Sequence, residues 1–259
     1  LSPGRVLQPQ DIGLFATLGV TEVPVFRPPR VAIIPSGDEL LYPHQDLQPG
    51  KIRDANTYHM AAQTVQAGGT VIRLPIARDD PKDLTEKLDQ AVESGADLIL
   101  TSAGVSMGAF DFVRSTIETK GSVQFWKVSV RPGKPVMFGR YRGVPLIGLA
   151  GNPVSSFVGF LLFARPAIYK LRGIPPHMLR PVQVITTHEI ESDPRESYLR
   201  ALVKRDGRQL TAALTRSHQG SGNIYSLVEA NALLIIPPGV KSLPAGTPLT
   251  AWLLVEEIE

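Results

Sequence analysis

There is no cysteine among the 259 residues. That absence removes disulfides, thiolate nucleophiles and cysteine zinc sites together, and it fits a reducing, cytoplasmic setting. Histidine adds no metal site of its own, because His44, His59, His177, His188 and His218 show no metal-ligand spacing. No apolar run reaches the span of a bilayer, so a membrane-crossing helix is not expected. No secretory signal is read, although a chain opening on Leu1 leaves room for a missing N-terminal segment. Excess charge is small: 27 basic against 24 acidic residues give +3, too little and too dispersed to point to nucleic acid. Also missing are an HExxH helix, a phosphate loop of the Walker type, a dinucleotide fingerprint, a serine nucleophile elbow and any internal repeat.

What is present is punctuation: 23 Gly and 23 Pro favour many short elements over a helical bundle. Residues 1–29 read as a short helix around Gln8–Leu18 and a proline-bearing connector, an attachment segment. From Arg30 the order VAIIP, DANTYHMAAQTVQAGG, TVIRLPIA, DPKDLTEKLDQAVESG, DLILT is βαβαβ, with Asp54 and Asp80 as N-caps, Pro81 at a first helical position, and Gly68 and Gly95 as stops. A parallel sheet follows from that order. DFVRSTIETKG reads as a helix, VQFWKVSV and VPLIGLA as strands, and PVSSFVGFLLFARPAIYKLRG as a long apolar helix that Pro166 should bend or interrupt. The run Gly173–Pro176 marks a boundary, after which the apolar period becomes two and Asp206-Gly207 signals a hairpin. The expected architecture is an α/β domain over 30–174 and a small all-β, barrel-like or sandwich domain over 175–259.

Ligands of open parallel sheets bind outside the C-terminal ends of the strands. Four loops should share that edge. The loop TSAGVSMGAFD, Thr101–Asp111, supplies hydroxyls from Thr101, Ser102 and Ser106, close backbone approach at Gly104 and Gly108, and a carboxylate at Asp111. Alone it could be an ordinary strand-to-helix turn. PSGDE adds Ser36, Gly37, Asp38 and Glu39, RDD adds Asp80, and AGNPVSS adds Asn152, Ser155 and Ser156 at a helix start. Each acid could simply cap a helix, but carboxylates from three loops at one edge repel unless a cation offsets them, and Mg²⁺ suits such oxygens. VRPGKP sets Arg131 and Lys134 on one bent segment, where two cations can face one oxyanion.

In order along the chain, PSGDEL, PGKIRDAN, TSAGVSMGAFD, RPGKPVMFG, AGNPVSSF and SHQGSGNIYSLVEANALLIIP resemble the molybdopterin molybdenumtransferase family, the MoeA proteins and the E domain of gephyrin. The resemblance implies a three-layer, molybdopterin-binding, MogA-like domain with a mostly parallel sheet, followed by a small β barrel. It implies insertion of molybdate into adenylylated molybdopterin with Mg²⁺ present and AMP released, in a homodimer whose further N-terminal region this chain lacks. The adenylyltransferase of the preceding step is both an implied partner and a rival reading, since it resembles residues 30–173 but has no β domain. A non-catalytic, gephyrin-like scaffold is a second rival. By this resemblance Glu39, Asp80 and Asp111 are the catalytic and metal-holding acids. Ser36, Gly37, Asp38, Thr101, Ser102, Gly104, Ser106, Gly108 and Asn152 contact the pterin substrate, and Arg131, Lys134, Pro135, Ser155, Arg200 and Ser221 contact molybdate. Two departures stand out. Ala103 replaces a family glycine, so its backbone must avoid positive φ or accept a cost near 1 kcal/mol, and Ala150 replaces a proline.

Overall fold

The structure, a computed structural model, describes residues 1–103, 112–175, 179–215 and 219–258. The expectations placed on Gly104, Ser106, Gly108 and Asp111 therefore lie outside the described residues.

The chain opens with α1 (Pro9–Thr17) and reaches β1 (Arg30–Pro35) through an extended connector. That connector is tied down by Arg27, whose guanidinium donates two bonds of 2.6 Å to the Asp97 carboxylate, while the amide of Arg30 donates to the same group at 2.7 Å. Two short segments, β2 (Leu40–Leu41) and β3 (Ile52–Arg53), pair beside it. Then come α2 (Asn56–Gln66), β4 (Thr70–Arg73), α3 (Pro81–Glu93) and β5 (Leu98–Ser102). After α4 (Phe112–Lys120) the chain forms β6 (Gly121–Trp126), β7 (Val130–Arg131), β8 (Met137–Tyr141) and β9 (Val144–Leu149).

The first sheet has the order β4-β1-β5-β9-β8-β6, parallel across β4, β1, β5 and β9 and antiparallel across β8 and β6. The chain leaves β1 for β4 on one side and returns to β5 on the other. The strand order thus reverses between β1 and β5, where a ligand crevice is expected. Both faces are covered, which is why β1 is an unbroken apolar run and not an alternating one. Ala32 and Ile34 pack with Leu84 and Leu88 of α3, whereas Val31 and Ile33 pack with Met60 of α2 and with Phe160.

Phe160 belongs to the long apolar helix, which runs as α5 (Pro153–Gly159), a π-helical turn over Phe160–Ala164, and α6 (Arg165–Leu171). The wide turn falls immediately before Pro166, which has no amide proton to give a regular ladder. By length and composition alone Pro153–Leu171, 19 residues at a mean hydropathy of 1.3, passes for a membrane-crossing helix, a longer apolar stretch than the sequence reading recognised, but it is a core helix of the first domain. Its surroundings explain the composition: Val158, Phe160, Ala164 and Ile168 are fully buried against the sheet and its neighbours.

The second sheet is built from β10 (Pro181–Thr186), β12 (Glu196–Asp206), β13 (Gln209–Leu214), β14 (Ala232–Ile236) and β16 (Pro248–Leu253), with the short β11 (Ile190–Glu191) pairing β15 (Ser242–Leu243) and a single helical turn, α7 (Tyr225–Val228). Its order β13-β10-β16-β14-β12 closes on itself through β12 and β13, giving a five-stranded barrel filled by small and branched side chains such as Ala201, Val203, Ala212, Leu234 and Ala251. The hairpin signal was one residue off: Asp206 pairs with Gln209, so the turn occupies Gly207 and Arg208.

Two features fasten the barrel to the first sheet's domain. Strand β7 leaves that domain to pair with the start of β12, Val130 against Glu196 and Arg131 against Ser197. Beside it Val154, Val158 and Leu161 pack on Tyr198, Leu233 and Trp252 of the barrel. The β7 segment carries the basic RPGKP residues, so the barrel wall and the cationic loop are set against each other by main-chain hydrogen bonds.

Candidate functional site

A cleft of about 620 Å³ opens between the strand ends of the first sheet and the barrel. Glu39 and Ile52 line one side, Ala103 and Ala150–Asn152 the floor, Arg131–Pro135 with Ser155 another side, and Arg195 with Gln219–Ser221 the barrel wall. Of the residues singled out from sequence, Glu39, Arg131, Lys134, Pro135, Asn152, Ser155 and Ser221 meet here.

The basic side is presented by a loop that bends at Gly133, whose φ of +109° is open to glycine and strained for other residues. The amide of Val128 donates to the Lys134 carbonyl at 3.0 Å, which closes the bend and turns the Lys134 side chain outward. Among the described residues neither Arg131 nor Lys134 has a carboxylate partner. Arg195 differs. Its guanidinium is held bidentately by Asp193 at 2.6 and 2.8 Å and reaches the Val130 carbonyl at 3.3 Å, so it braces the cationic loop with its charge offset. Sequence reasoning had not singled out Arg195, and a bidentate partner two residues away is hard to read from DPRE alone.

On the opposite side the Glu39 carbonyl accepts from the Ile52 amide at 2.8 Å, while its carboxylate has no hydrogen bond or ion pair among the described residues. Its carboxylate folds over Gly37, where a side chain would collide with it. Asp38 stands outside the cleft lining and faces Asp79: each aspartate's amide donates to the other's carboxylate, at 3.4 and 3.3 Å. Asp80 does something else. Its carboxylate accepts from the Asp83 amide at 2.9 Å and caps α3. The acid of RDD that joins Asp38 is thus Asp79, one residue before the one selected, because the preference of a helix for an N-cap consumes Asp80. No group of three or more His, Asp or Glu able to hold a metal forms among the described residues.

Several other selected residues lie beneath the cleft instead of lining it. Ser36 is buried, with its amide bonded to the Ser102 carbonyl at 3.2 Å. Thr101 is fully buried and its hydroxyl has no partner among the described residues, while Ser102 accepts from Asn56. Arg200, expected at the cleft, is 0% exposed, and its guanidinium donates to Ser226 Oγ at 3.0 Å and to the carbonyls of Gln219 and Gly220 at 3.2 and 2.9 Å. Burial, with a smaller contribution from Arg131, brings its pKa down to about 10. It underpins the barrel loop that faces the cleft.

That loop also reaches the first domain. The Val154 amide donates to the Ser221 carbonyl at 3.0 Å, and Asn152 Nδ2 donates to Ser221 Oγ at 2.9 Å. One of the amides at the start of α5, expected to greet an anion, is therefore already taken by the barrel.

Ala103 adopts φ of +78°, the strained alternative, held by its amide bond to the Leu149 carbonyl at 3.0 Å. Its neighbour Gly151 packs tightly on it, since a Cβ there would lie 3.2 Å from the Ala103 Cβ. Ala103→Gly is expected to raise the unfolding free energy by about 0.5 to 1 kcal/mol, relief of strain less the added freedom of the unfolded chain; a urea titration of both proteins reads it, and a lower value would place the strain elsewhere.

Comparison with known proteins follows the two parts of this geometry. Residues 32–170 match the family described as a probable molybdopterin binding domain, and residues 183–254 match the MoeA C-terminal region, domain IV. The chain is 36% identical over 260 residues to Molybdopterin molybdenumtransferase 2 of Mycobacterium tuberculosis, covering 97% of this chain and 63% of that protein. It is 35% identical over 259 residues to Molybdopterin molybdenumtransferase of Bacillus subtilis, covering 99% of this chain and 60% of that protein. Among solved structures, the molybdopterin biosynthesis MoeA protein of Pyrococcus horikoshii matches with a TM-score of 0.81 at 30% identity, over 99% of this chain and 62% of that one. The chain spans a little over three fifths of the length of these relatives.

Proposed function

Because this chain belongs to the MoeA family, we propose that its cleft takes part in molybdenum cofactor biosynthesis, holding molybdate and adenylylated molybdopterin while the metal oxyanion is transferred and AMP is released. The observation that carries this reading is charge without partners. Arg131 and Lys134 line a cavity of about 620 Å³ and form no ion pair among the described residues, opposite a Glu39 carboxylate that has no partner among them either. Such a cleft favours an anionic ligand on one side and leaves a carboxylate to orient a water or a proton-bearing group on the other.

The pterin domain and barrel wall would divide the work. Arg131 and Lys134 attract the oxyanion, Ser155 and Ser221 supply hydroxyls, and Glu39, together with Asp111 by family resemblance, serves cleavage of the phosphoanhydride bond. Mg²⁺ fits the donor set in one form. It commonly takes one or two carboxylates and completes its shell with phosphate oxygens and water, and Asp38 with Asp79, each of whose carboxylates accepts the other's main-chain amide, would hold it. Its charge would offset that of the phosphate oxygens completing its shell.

The barrel argues against an adenylyltransferase, whose fold resembles the first domain alone. The test is AMP formation from adenylylated molybdopterin, molybdate and Mg²⁺, by this chain and by a version extended with the N-terminal region that the family resemblance implies. Molybdate-dependent AMP release is the expected result for the extended protein. Adenylate formed from ATP and free pterin would support the adenylyltransferase reading, and binding without AMP release from either protein would support a scaffold.

A further inference from the structure

The motif PGKIRDAN contributes no residue to the cleft lining beyond Ile52, yet it places Asn56 underneath the floor. Asn56 is the first residue of α2 and is 8% exposed. Asp54, itself buried, fixes this helix start by accepting from the amide of Thr57 at 3.1 Å and from its hydroxyl. From there the carboxamide Nδ2 of Asn56 donates to Ser102 Oγ at 2.9 Å and to the Gly151 carbonyl at 2.6 Å. These two acceptors sit where β5 and β9 leave the sheet, and one of them precedes Ala103 while the other faces it.

We propose that Asn56 is a positioning residue of the cleft: its amide clamps the ends of β5 and β9 together and so holds Ala103 in its left-handed conformation at the floor. The carboxamide has only one workable orientation. Turning it over would set its oxygen against the Gly151 carbonyl, so both protons of Nδ2 stay committed to the clamp. The cost is visible, because Oδ1 is buried with no partner among the described residues, a situation that ordinarily destabilises a protein. A side chain serving only as a helix start gains nothing by stranding an acceptor, whereas one whose two protons fix two loop ends leaves its oxygen behind. No aspartate could replace it, since a carboxylate has no proton to donate to the Gly151 carbonyl.

The strain at Ala103 makes the clamp testable. Without the clamp, an alanine at 103 gains by relaxing to negative φ and the floor shifts, whereas a glycine there keeps positive φ without penalty. Asn56→Ala, Ala103→Gly and the double variant form a thermodynamic cycle whose non-additivity measures the link. The first readout is hydrogen exchange of the residue 103 amide, which is bonded to Leu149 and needs no activity. Asn56→Ala is expected to speed that exchange at least tenfold in the parent and less than threefold in the Ala103→Gly background. The second readout rests on the function proposed above: kcat for AMP release is expected to fall about tenfold with Asn56→Ala and to recover most of that loss in the double variant, with KM for molybdate little changed. Asn56→Ser, too short to reach both acceptors, should behave as Asn56→Ala does and serves if the alanine variant does not fold. Equal exchange acceleration in both backgrounds, or none in either, overturns the clamp whatever the enzyme assay gives. Absence of AMP release from the unmutated protein bears only on the proposed function, since the exchange measurement still decides the clamp.

Discussion

Replacing Arg200 with Met lowers the unfolding free energy by about 3 kcal/mol, a midpoint drop of roughly 6 to 12 °C for a chain of this size. Arg200 is fully buried, and all its described partners are neutral: two loop carbonyls, a serine hydroxyl, and, through its own main chain, the Gln219 side chain, which accepts from the Arg200 amide at 2.9 Å. Each acceptor left without a donor costs about 1 to 3 kcal/mol if it stays buried. Part of that penalty is offset because methionine needs no desolvated charge, and part because the loop can move outward and rehydrate its carbonyls. Outward movement would take Ser221 away from Val154 and Asn152, so the barrel wall loosens along with the stability. Arg200→Lys, which keeps a charge but not the branched reach to three acceptors, should lose about half as much. A stability change under about 1 kcal/mol, together with a tenfold loss of molybdate affinity, would make Arg200 an anion ligand and not a strut.

Glu39, Asn152 and Ser155 could be gathered in advance because strand order dictates which loops share an edge, and Arg131 and Lys134 because two cations flank the Pro-Gly bend of one segment. Arg200, Ser36, Thr101 and Ser102 lie within or at the ends of strands, where a shift of one residue in register reverses the face a side chain occupies. Nothing local tells that Arg200 points under the loop instead of into the cleft. Asp79 and Asp80 illustrate a competition settled by helix capping: DDP offers two acids, and the one next to the proline is consumed by α3. Strand β8 was hidden differently. Its sequence, MFGRY, is short and interrupted by Gly139, and it lies between a glycine-rich basic loop and a tight turn at Arg142-Gly143. Only pairing with β6 and β9 makes it a strand, and long-range pairing leaves little trace in a window of five residues.

The opposite behaviour is expected on the other wall. Lys134→Met and Arg131→Met each weaken molybdate binding roughly tenfold to a hundredfold, the worth of a charge-assisted hydrogen bond of about 1.5 to 3 kcal/mol. Lys134 is exposed, sits beyond a bend closed by the main chain, and has no ion pair among the described residues, so Lys134→Met should leave unfolding within about 0.5 kcal/mol of the parent. Arg131 lies in β7, where the pairing with Ser197 is main-chain and survives the substitution. Calorimetric titration with molybdate reads affinity, and a urea titration of the same samples reads stability. Ionic strength separates attraction by charge from fit alone. Raising salt from about 0.01 to 0.15 M shortens the screening length from about 30 to 8 Å, and it should weaken binding by the parent more than by the double variant, which has less charge to screen. Glu39→Gln supplies the counter-check, because it removes a negative charge from the same cleft: molybdate should bind it at least as tightly as the parent, while AMP release falls. Unchanged molybdate affinity in both cation variants would remove the ground for assigning the oxyanion to this wall.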